Sequence, residues 1–133
     1  MQLQVAIDRL TLTDATALAQ QLDGKTDIIE MGTSLVKDYG YQGIVAMRTA
    51  IQHSQLLVDL KTIDEGAYEF RQGFKAGADI LTVMGAASEA TLAAVYAVTQ
   101  ETGKTMMIDL METSVEKQRQ IAGFPQAIYC LHH

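Results

Sequence analysis

The sequence predicts an α/β fold built on a parallel sheet, and three observations carry that expectation. Six short apolar, β-rich runs recur along the chain, each bounded by polar or glycine-containing segments. Stretches of helical length, with apolar residues three or four apart, lie between them. The runs begin roughly 20 to 30 residues apart, the spacing of βαβ crossover units.

The first run is Leu3–Asp8 (LQVAID), and the helical stretch Thr11–Gly24 follows it. Thr11 or Thr13 is its expected N-cap and Gly24 its expected stop. The second run, Asp27–Gly32 (DIIEMG), and the third, Leu56–Lys61 (LLVDLK), frame the second helix of the β-α order. A helix in Gly66–Gly77 should end at Gly77, and the fourth run, Asp79–Gly85, leads to a helix opened by Ser88 with Thr91 and stopped by Gly103. The fifth run, Met106–Met111, precedes a segment whose Glu116 and Lys117 read as a solvated helix face. The sixth, Ala127–His133, comes directly after Pro125 and Gln126. Strand starts are expected near Gln2, Asp27, Leu56, Ile80, Met106 and Ala127.

Continuous apolar strands covered by helices close into a barrel or stay open as a doubly wound sheet, and periodicity alone does not choose. An open dinucleotide-binding sheet should carry a glycine-rich turn after its first strand. Here that strand ends in Asp8-Arg9-Leu10, with no glycine, so the dinucleotide reading loses.

Composition narrows the function classes. With 48% apolar and 20% charged residues the chain has a globular balance, which argues against disorder. A net charge of -6, with ten Lys and Arg scattered singly, offers no basic stripe for nucleic acid or an anionic membrane. Cys130 is the only cysteine, which excludes an internal disulfide, fits a reducing compartment and reads as a buried apolar thiol. The opening segment has Asp8 and no basic region ahead of an apolar core, so it reads as a strand and not a signal peptide. The longest apolar stretch, near Leu92 to Val98, is too short to span a bilayer. A cytoplasmic protein is expected.

Ionisable residues recur at or near strand ends inside otherwise apolar runs: Asp8, Glu30, Asp59 with Lys61, Asp109 and His132. In a parallel barrel the C-terminal ends of all strands converge on one face, so these side chains would gather around one cavity. Burying them together is costly unless they pair, bind a metal or hold a substrate. Asp8 alone reads equally well as a turn or cap residue, and a lone His132 is weak evidence of chemistry. Glu30, between Ile29 and Met31, and Asp109, between Ile108 and Leu110, have little structural purpose as carboxylates inside strands. Strand alternation places Asp59 and Lys61 on one side, where they can pair. A structural ion pair is the alternative, but it needs no further carboxylates such as Glu30 and Asp64 nearby. Asp64 and Glu65 on their own would be solvated helix-start residues, and Met106, Met107 and Met111 read as packing.

In order, LQVAID, DIIEMGTSL, VDLKTIDEG, GADILTVMGA and MMIDL resemble the orotidine monophosphate decarboxylase suprafamily, over essentially the whole sequence. The most diagnostic piece is Asp-x-Lys-x-x-Asp, present as Asp59, Lys61 and Asp64. The resemblance implies a (β/α)8 TIM barrel that acts on a sugar phosphate with Mg²⁺ through a cis-enediolate. It implies that Glu30 and Asp59 hold Mg²⁺, that Lys61 stabilises the enediolate charge, and that Asp8 and Asp109 contact substrate. Asp109 stands where the related decarboxylases have a glutamate. His132 is implied as a proton shuttle, and Asp64 as a catalytic residue reaching the partner's site across a homodimer. Met84-Gly85-Ala86-Ala87 and Thr62–Gly66 lean towards the members that condense formaldehyde with D-ribulose 5-phosphate. Decarboxylation of 3-keto-L-gulonate 6-phosphate stays open, as does a catalytically silent oligomerisation or binding module.

Such barrels have eight strands, and this sequence accounts for about the first six. One barrel domain over residues 1–133, incomplete at its C-terminus, is expected, its phosphate-binding loops after strands seven and eight lying outside the sequence. A piece of a longer protein is the favoured reading, ahead of a truncated gene or units supplied by another chain.

Overall fold

Strands and helices alternate without exception in the computed structural model, which describes residues 1–132. The order is β1 (Gln4–Ile7), α1 (Leu12–Leu22), β2 (Ile28–Met31), α2 (Thr33–Ala50), β3 (Gln55–Thr62), α3 (Gly66–Ala76), β4 (Ile80–Met84), α4 (Glu89–Thr102), β5 (Thr105–Asp109), α5 (Val115–Gln120) and β6 (Ile128–Cys130). His133, which the sequence reading includes in the sixth strand, lies outside the described residues.

The strands form one sheet in the order β1-β2-β3-β4-β5-β6, each neighbouring pair parallel. A doubly wound sheet reverses its strand order at a switch point. No reversal occurs here, so right-handed crossovers carry every helix to the same face. The arrangement is that of six successive strands of a (β/α)8 TIM barrel, with the helices outside.

The two faces of the sheet differ in chemistry. Outward residues such as Ile29, Val58, Leu81, Val83 and Ile108 are fully buried against Leu35, Ile44 and Met47 of α2, Phe70 of α3 and Leu92 and Val95 of α4. Each such side chain contributes about 1.5–3 kcal/mol through burial, which makes this outer layer the main core. Inward, one apolar storey is formed by Ile28, Leu57, Ile80 and Met107, with Ile128 and Cys130 packed on it. Two residues further along β2, β3, β4 and β5 the chemistry switches to Glu30, Asp59, Thr82 and Asp109. The side-chain period of two therefore seats a polar storey on an apolar one, at the C-terminal end of the sheet.

Helix ends follow the expected punctuation. Thr11 Oγ1 accepts the Asp14 N–H at 3.1 Å and Ser88 Oγ accepts the Thr91 N–H at 3.0 Å. α3 and α4 stop at Gly77 and Gly103, whose φ of 119° and 65° a side chain would disfavour. α1 stops one residue early, at Asp23, with Gly24 next. α2 is broken by a kink at Gly40, at φ 57° and ψ -150°.

Two strand boundaries differ from expectation. β1 starts at Gln4 and ends at Ile7, which leaves Asp8 just past its end. β6 is three residues long, so His132 lies beyond it and not on it. Its ladder partner β5 finishes at Asp109, and the chain then turns away through Glu112 at φ 58°. Leu131 and His132 have no described strand there to pair with. Among the described residues no helix is long and apolar enough to cross a membrane.

Candidate active site

Lys61 is the hub of the polar storey. Its Nζ donates to Asp109 Oδ2 at 2.6 Å and lies 3.1 Å from Asp59 Oδ2. Asp109 is 2% exposed and Asp59 7% exposed, so both carboxylates depend on these partners. Burial disfavours the Lys61 ammonium, but the Asp109 hydrogen bond and the Asp59 charge outweigh it and hold its pKa above the ordinary value. The converse holds at Asp109. Burial raises its pKa, but the Lys61 hydrogen bond, the Met111 N–H and the Lys61 charge outweigh it, for a net downward shift.

The pairing of Asp59 and Lys61 is as expected, but simple alternation does not produce it. Val58 pairs with Leu81 and Thr62 with Val83, so Asp59, Leu60 and Lys61 stand opposite Thr82 alone. The bulge puts Lys61 at φ 48°, a left-handed conformation uncommon in non-glycine residues. Thr82 Oγ1 donates to Asp59 Oδ1 at 2.7 Å, and Thr33 Oγ1 donates to Asp59 Oδ2. Neither threonine carries a charge, and neither was in the sequence-derived set. The signal that could have found them is their place: Thr82 two residues beyond an inward Ile80, and Thr33 at the opening of a helix.

Glu30 faces the same space from β2. Burial pushes its pKa up, the Gln4 hydrogen bond at 2.6 Å opposes this, and the charges of Asp59 and Asp8 push it further up. Gln4, on β1, is a third residue that sequence reasoning missed. His132 Nδ1 lies 3.1 Å from Asp109 Oδ2, so the histidine reaches the cluster although it is off the strand.

Asp8 serves as a cap and a cavity residue at once. Its Oδ1 accepts the Ser34 hydroxyl at 2.6 Å and the Ser34 N–H at 3.2 Å, at the start of α2. A Cβ on Gly32 would sit 2.1 Å from Asp8 Oδ2, so only glycine lets the helix start approach this carboxylate. Ser34 Oγ also accepts the Arg9 N–H at 2.8 Å, which ties the turn after β1 to α2.

A cavity of about 210 Å³ is lined by Glu30, Asp59, Lys61, Thr82, Asp109 and His132, with Cys130 and Met107 on its wall. A second, more open one of about 610 Å³ shares Glu30, Asp59, Lys61 and His132 and extends to Asp8, Arg9, Thr33 and Ser34. Cys130 packs on the inward apolar storey as expected of an apolar thiol, but it is only half-buried, because the strand's inward period also puts it on the cavity wall. Its thiol pKa is pushed up by burial and by Asp109. Asp64 is exposed in the loop before α3 and lines neither cavity. The structure thus brings Asp8, Glu30, Asp59, Lys61, Asp109 and His132 together and leaves Asp64 outside.

Four carboxylates, Asp8, Glu30, Asp59 and Asp109, face these cavities against two permanent cations, Lys61 and Arg9. The arrangement can stabilise negative charge near Lys61, shuttle a proton at His132 and attract a cation near Glu30 and Asp59. Among the described residues no three His, Cys, Asp or Glu side chains are grouped to hold a metal by themselves.

The description of the orotidine 5'-phosphate decarboxylase / HUMPS family matches residues 1–132. A 3-hexulose-6-phosphate synthase of Staphylococcus epidermidis is 35% identical over 119 residues, covering 90% of this chain and 57% of that protein. The 3-hexulose-6-phosphate synthase structure from Salmonella typhimurium superposes with a TM-score of 0.90 at 30% identity, over 99% of this chain and 64% of that one. A 3-keto-L-gulonate-6-phosphate decarboxylase from Vibrio cholerae gives a TM-score of 0.85 at 33% identity, over 92% of this chain and 58% of that one. The chain thus spans little more than half the length of the curated relatives it matches. With the family description matched from residue 1 to 132, the chain belongs to the orotidine 5'-phosphate decarboxylase / HUMPS family.

Proposed function

We propose that this chain carries the catalytic centre of a 3-hexulose-6-phosphate synthase, which joins formaldehyde to D-ribulose 5-phosphate through a cis-enediolate. The observation that carries this reading is the Lys61 ammonium, held between Asp59 and Asp109 at the wall of an open cavity. Likeness to relatives named 3-hexulose-6-phosphate synthase supports the substrate choice.

The chemistry follows from the side chains. With Nδ1 directed at Asp109 Oδ2, the His132 lone pair falls on Nε2, which takes a proton from C1 of ribulose 5-phosphate. The electron pair left behind becomes an enediolate, and Lys61 offsets the charge that appears. C1 then bonds to the formaldehyde carbon, and the formaldehyde oxygen receives the proton. Asp8, fixed by Ser34, is placed to accept from substrate hydroxyls. Asp109 holds both Lys61 and His132 in place, and its substrate contact runs through them.

The donors suit Mg²⁺: carboxylate oxygens in negative surplus, with too few grouped ligands for a cage. Glu30 and Asp59 would hold the ion together with waters and substrate oxygens, as magnesium is commonly held. When bound, it supplies Lewis-acid stabilisation of oxyanion charge. We further infer a homodimer in which Asp64 enters the partner's site. Supporting this, Asp64 sits apart from its own cavity, flanked by exposed Ile63 and Tyr68 at 53% and 58%. Sedimentation showing only monomer would overturn that arm.

The test is formaldehyde loss on incubation with ribulose 5-phosphate and Mg²⁺, and no loss sinks the reading. The likeness to the Vibrio cholerae decarboxylase favours one second reading, loss of CO₂ from 3-keto-L-gulonate 6-phosphate. Turnover of that substrate alone would move the assignment there, and turnover of neither would favour a silent binding module.

A further inference from the structure

Thr82 is the point where both ends of the Asp59–Lys61 pair are fastened. Three residues of β3, Asp59 to Lys61, are set against this one residue of β4. The bulge takes the Lys61 N–H out of the regular ladder, and Thr82 Oγ1 accepts it at 2.8 Å. A hydroxyl has one proton to give, and Thr82 gives it to Asp59 Oδ1 at 2.7 Å. At 3% exposure, Thr82 leaves little access for water to take over either bond.

From this geometry we propose that Thr82 is a positioning residue, which locks the β3 bulge and thereby aims Asp59 and Lys61 at the substrate. With Oδ1 tied to Thr82, Asp59 must present Oδ2 to Lys61, and the 3.1 Å contact is the one that results. With its N–H tied to the same oxygen, Lys61 stays at φ 48°, the conformation that turns its side chain inward beside Asp59 and not outward into the helix layer. Thr62, next in sequence, can then face outward and donate to Glu69 Oε2 at 2.6 Å. The activity part of this inference rests on the function proposed above. The bulge part does not.

Valine matches threonine in shape and lacks the hydroxyl, whereas serine keeps the hydroxyl and lacks the methyl. Thr82→Val and Thr82→Ser therefore separate hydrogen bonding from packing. Amide hydrogen exchange followed by NMR reads the bulge directly. Exchange at the Lys61 amide should be about tenfold faster or more in Thr82→Val, and close to the parent rate in Thr82→Ser. The Leu57 and Val58 amides, in the regular ladder, should change in neither. In the formaldehyde assay, Thr82→Val should lose kcat by about a hundredfold with KM for ribulose 5-phosphate nearly constant, and Thr82→Ser should recover most of it.

If Thr82→Val fails to fold, Thr82→Ala makes the same comparison against Thr82→Ser. Unchanged Lys61 exchange in Thr82→Val, or a serine variant that behaves like valine, would overturn the inference. An unsubstituted chain that consumes no formaldehyde sinks the function reading instead, and the exchange result still decides whether Thr82 holds the bulge.

Discussion

The two ends of the sheet each carry a cluster of charges, and they are wired differently. At the N-terminal end, Asp79 accepts from Arg48 at 2.6 Å, from Lys104 at 3.0 Å and from the Leu56 N–H at 2.9 Å. Arg48 spends its other hydrogens on the carbonyls of Gly77 and Ile51, and Asp23 accepts the N–H groups of Gln52, His53 and Ser54. These charges bind backbone, and they staple the loops that enter β3 and β4. At the C-terminal end, the carboxylates outnumber the cations and face open space. Backbone strain is concentrated there too: of the four described non-glycine residues with positive φ, Arg9, Lys61 and Glu112 lie at or just past the ends of β1, β3 and β5, and Gln126 alone lies ahead of a strand. Satisfied charge marks the structural end and surplus charge with strain marks the working end.

Exchanging a charge at each end should break different properties. The largest effect is expected at the working end, where Lys61→Ala removes the one cation between Asp59 and Asp109. Activity should fall about a thousandfold, near 4 kcal/mol of transition-state stabilisation, in steady-state formaldehyde consumption. A fully active variant would remove Lys61 from the chemistry. Next comes the structural end. Asp79→Ala leaves Arg48, Lys104 and the Leu56 N–H without their common acceptor, and should cost about 3 kcal/mol in urea unfolding. Turnover per folded molecule should hardly move, and an equal loss of both would erase the distinction between the ends.

The sequence made part of this division legible. Six strands could be read from apolar runs, and the inward carboxylates of Glu30, Asp59 and Asp109 stood out because a charge inside an apolar run violates the pattern of its surroundings. Cap residues Thr11 and Ser88 were visible for the same local reason. Thr82, Thr33, Ser34 and Gln4 were not. A threonine in a strand breaks no pattern, and its role depends on which residue of the neighbouring strand stands opposite, a register that no local stretch encodes. The left-handed Lys61 has no sequence signature either, since glycine, the usual mark of positive φ, is absent. Asp79, at the head of the fourth apolar run, drew no notice because its partners Arg48 and Lys104 are 31 and 25 residues away.

A smaller effect should sharpen the contrast by going in the opposite direction. Burial and the nearby Asp59 and Asp8 charges raise the Glu30 pKa, so above the ordinary carboxylate range the folded chain carries a charge that it disfavours. Glu30→Gln removes that charge and can keep the Gln4 contact through its amide oxygen. Stability at neutral pH should rise by up to about 1 kcal/mol while activity drops, the usual exchange at a site built for function. Mg²⁺ should raise the melting temperature of the parent chain more than that of the variant. A destabilised Glu30→Gln would mean that Glu30 belongs with the satisfied charges after all.

The smallest effect belongs to Asp23, and pH exposes it. The slight burial of its carboxyl favours a higher pKa, but the N–H groups of Ser54, Gln52 and His53 outweigh this and lower it from 3.8 to about 2. A depressed folded-state pKa means that the unfolded chain binds a proton more readily, so this contribution is full above the ordinary value and fades as pH falls through the folded one. Asp79 and Asp109 shift in the same direction and add to the acid sensitivity of the whole chain. Comparing the parent with Asp23→Asn isolates the single site: their urea midpoints should differ most above about pH 4 and converge towards pH 2. Because Asp23 is half-exposed, water screens the interaction and the gap should be the least of the four. A gap that stayed constant through the acid range would show that the three N–H bonds hold the loop by geometry and not through the carboxylate charge.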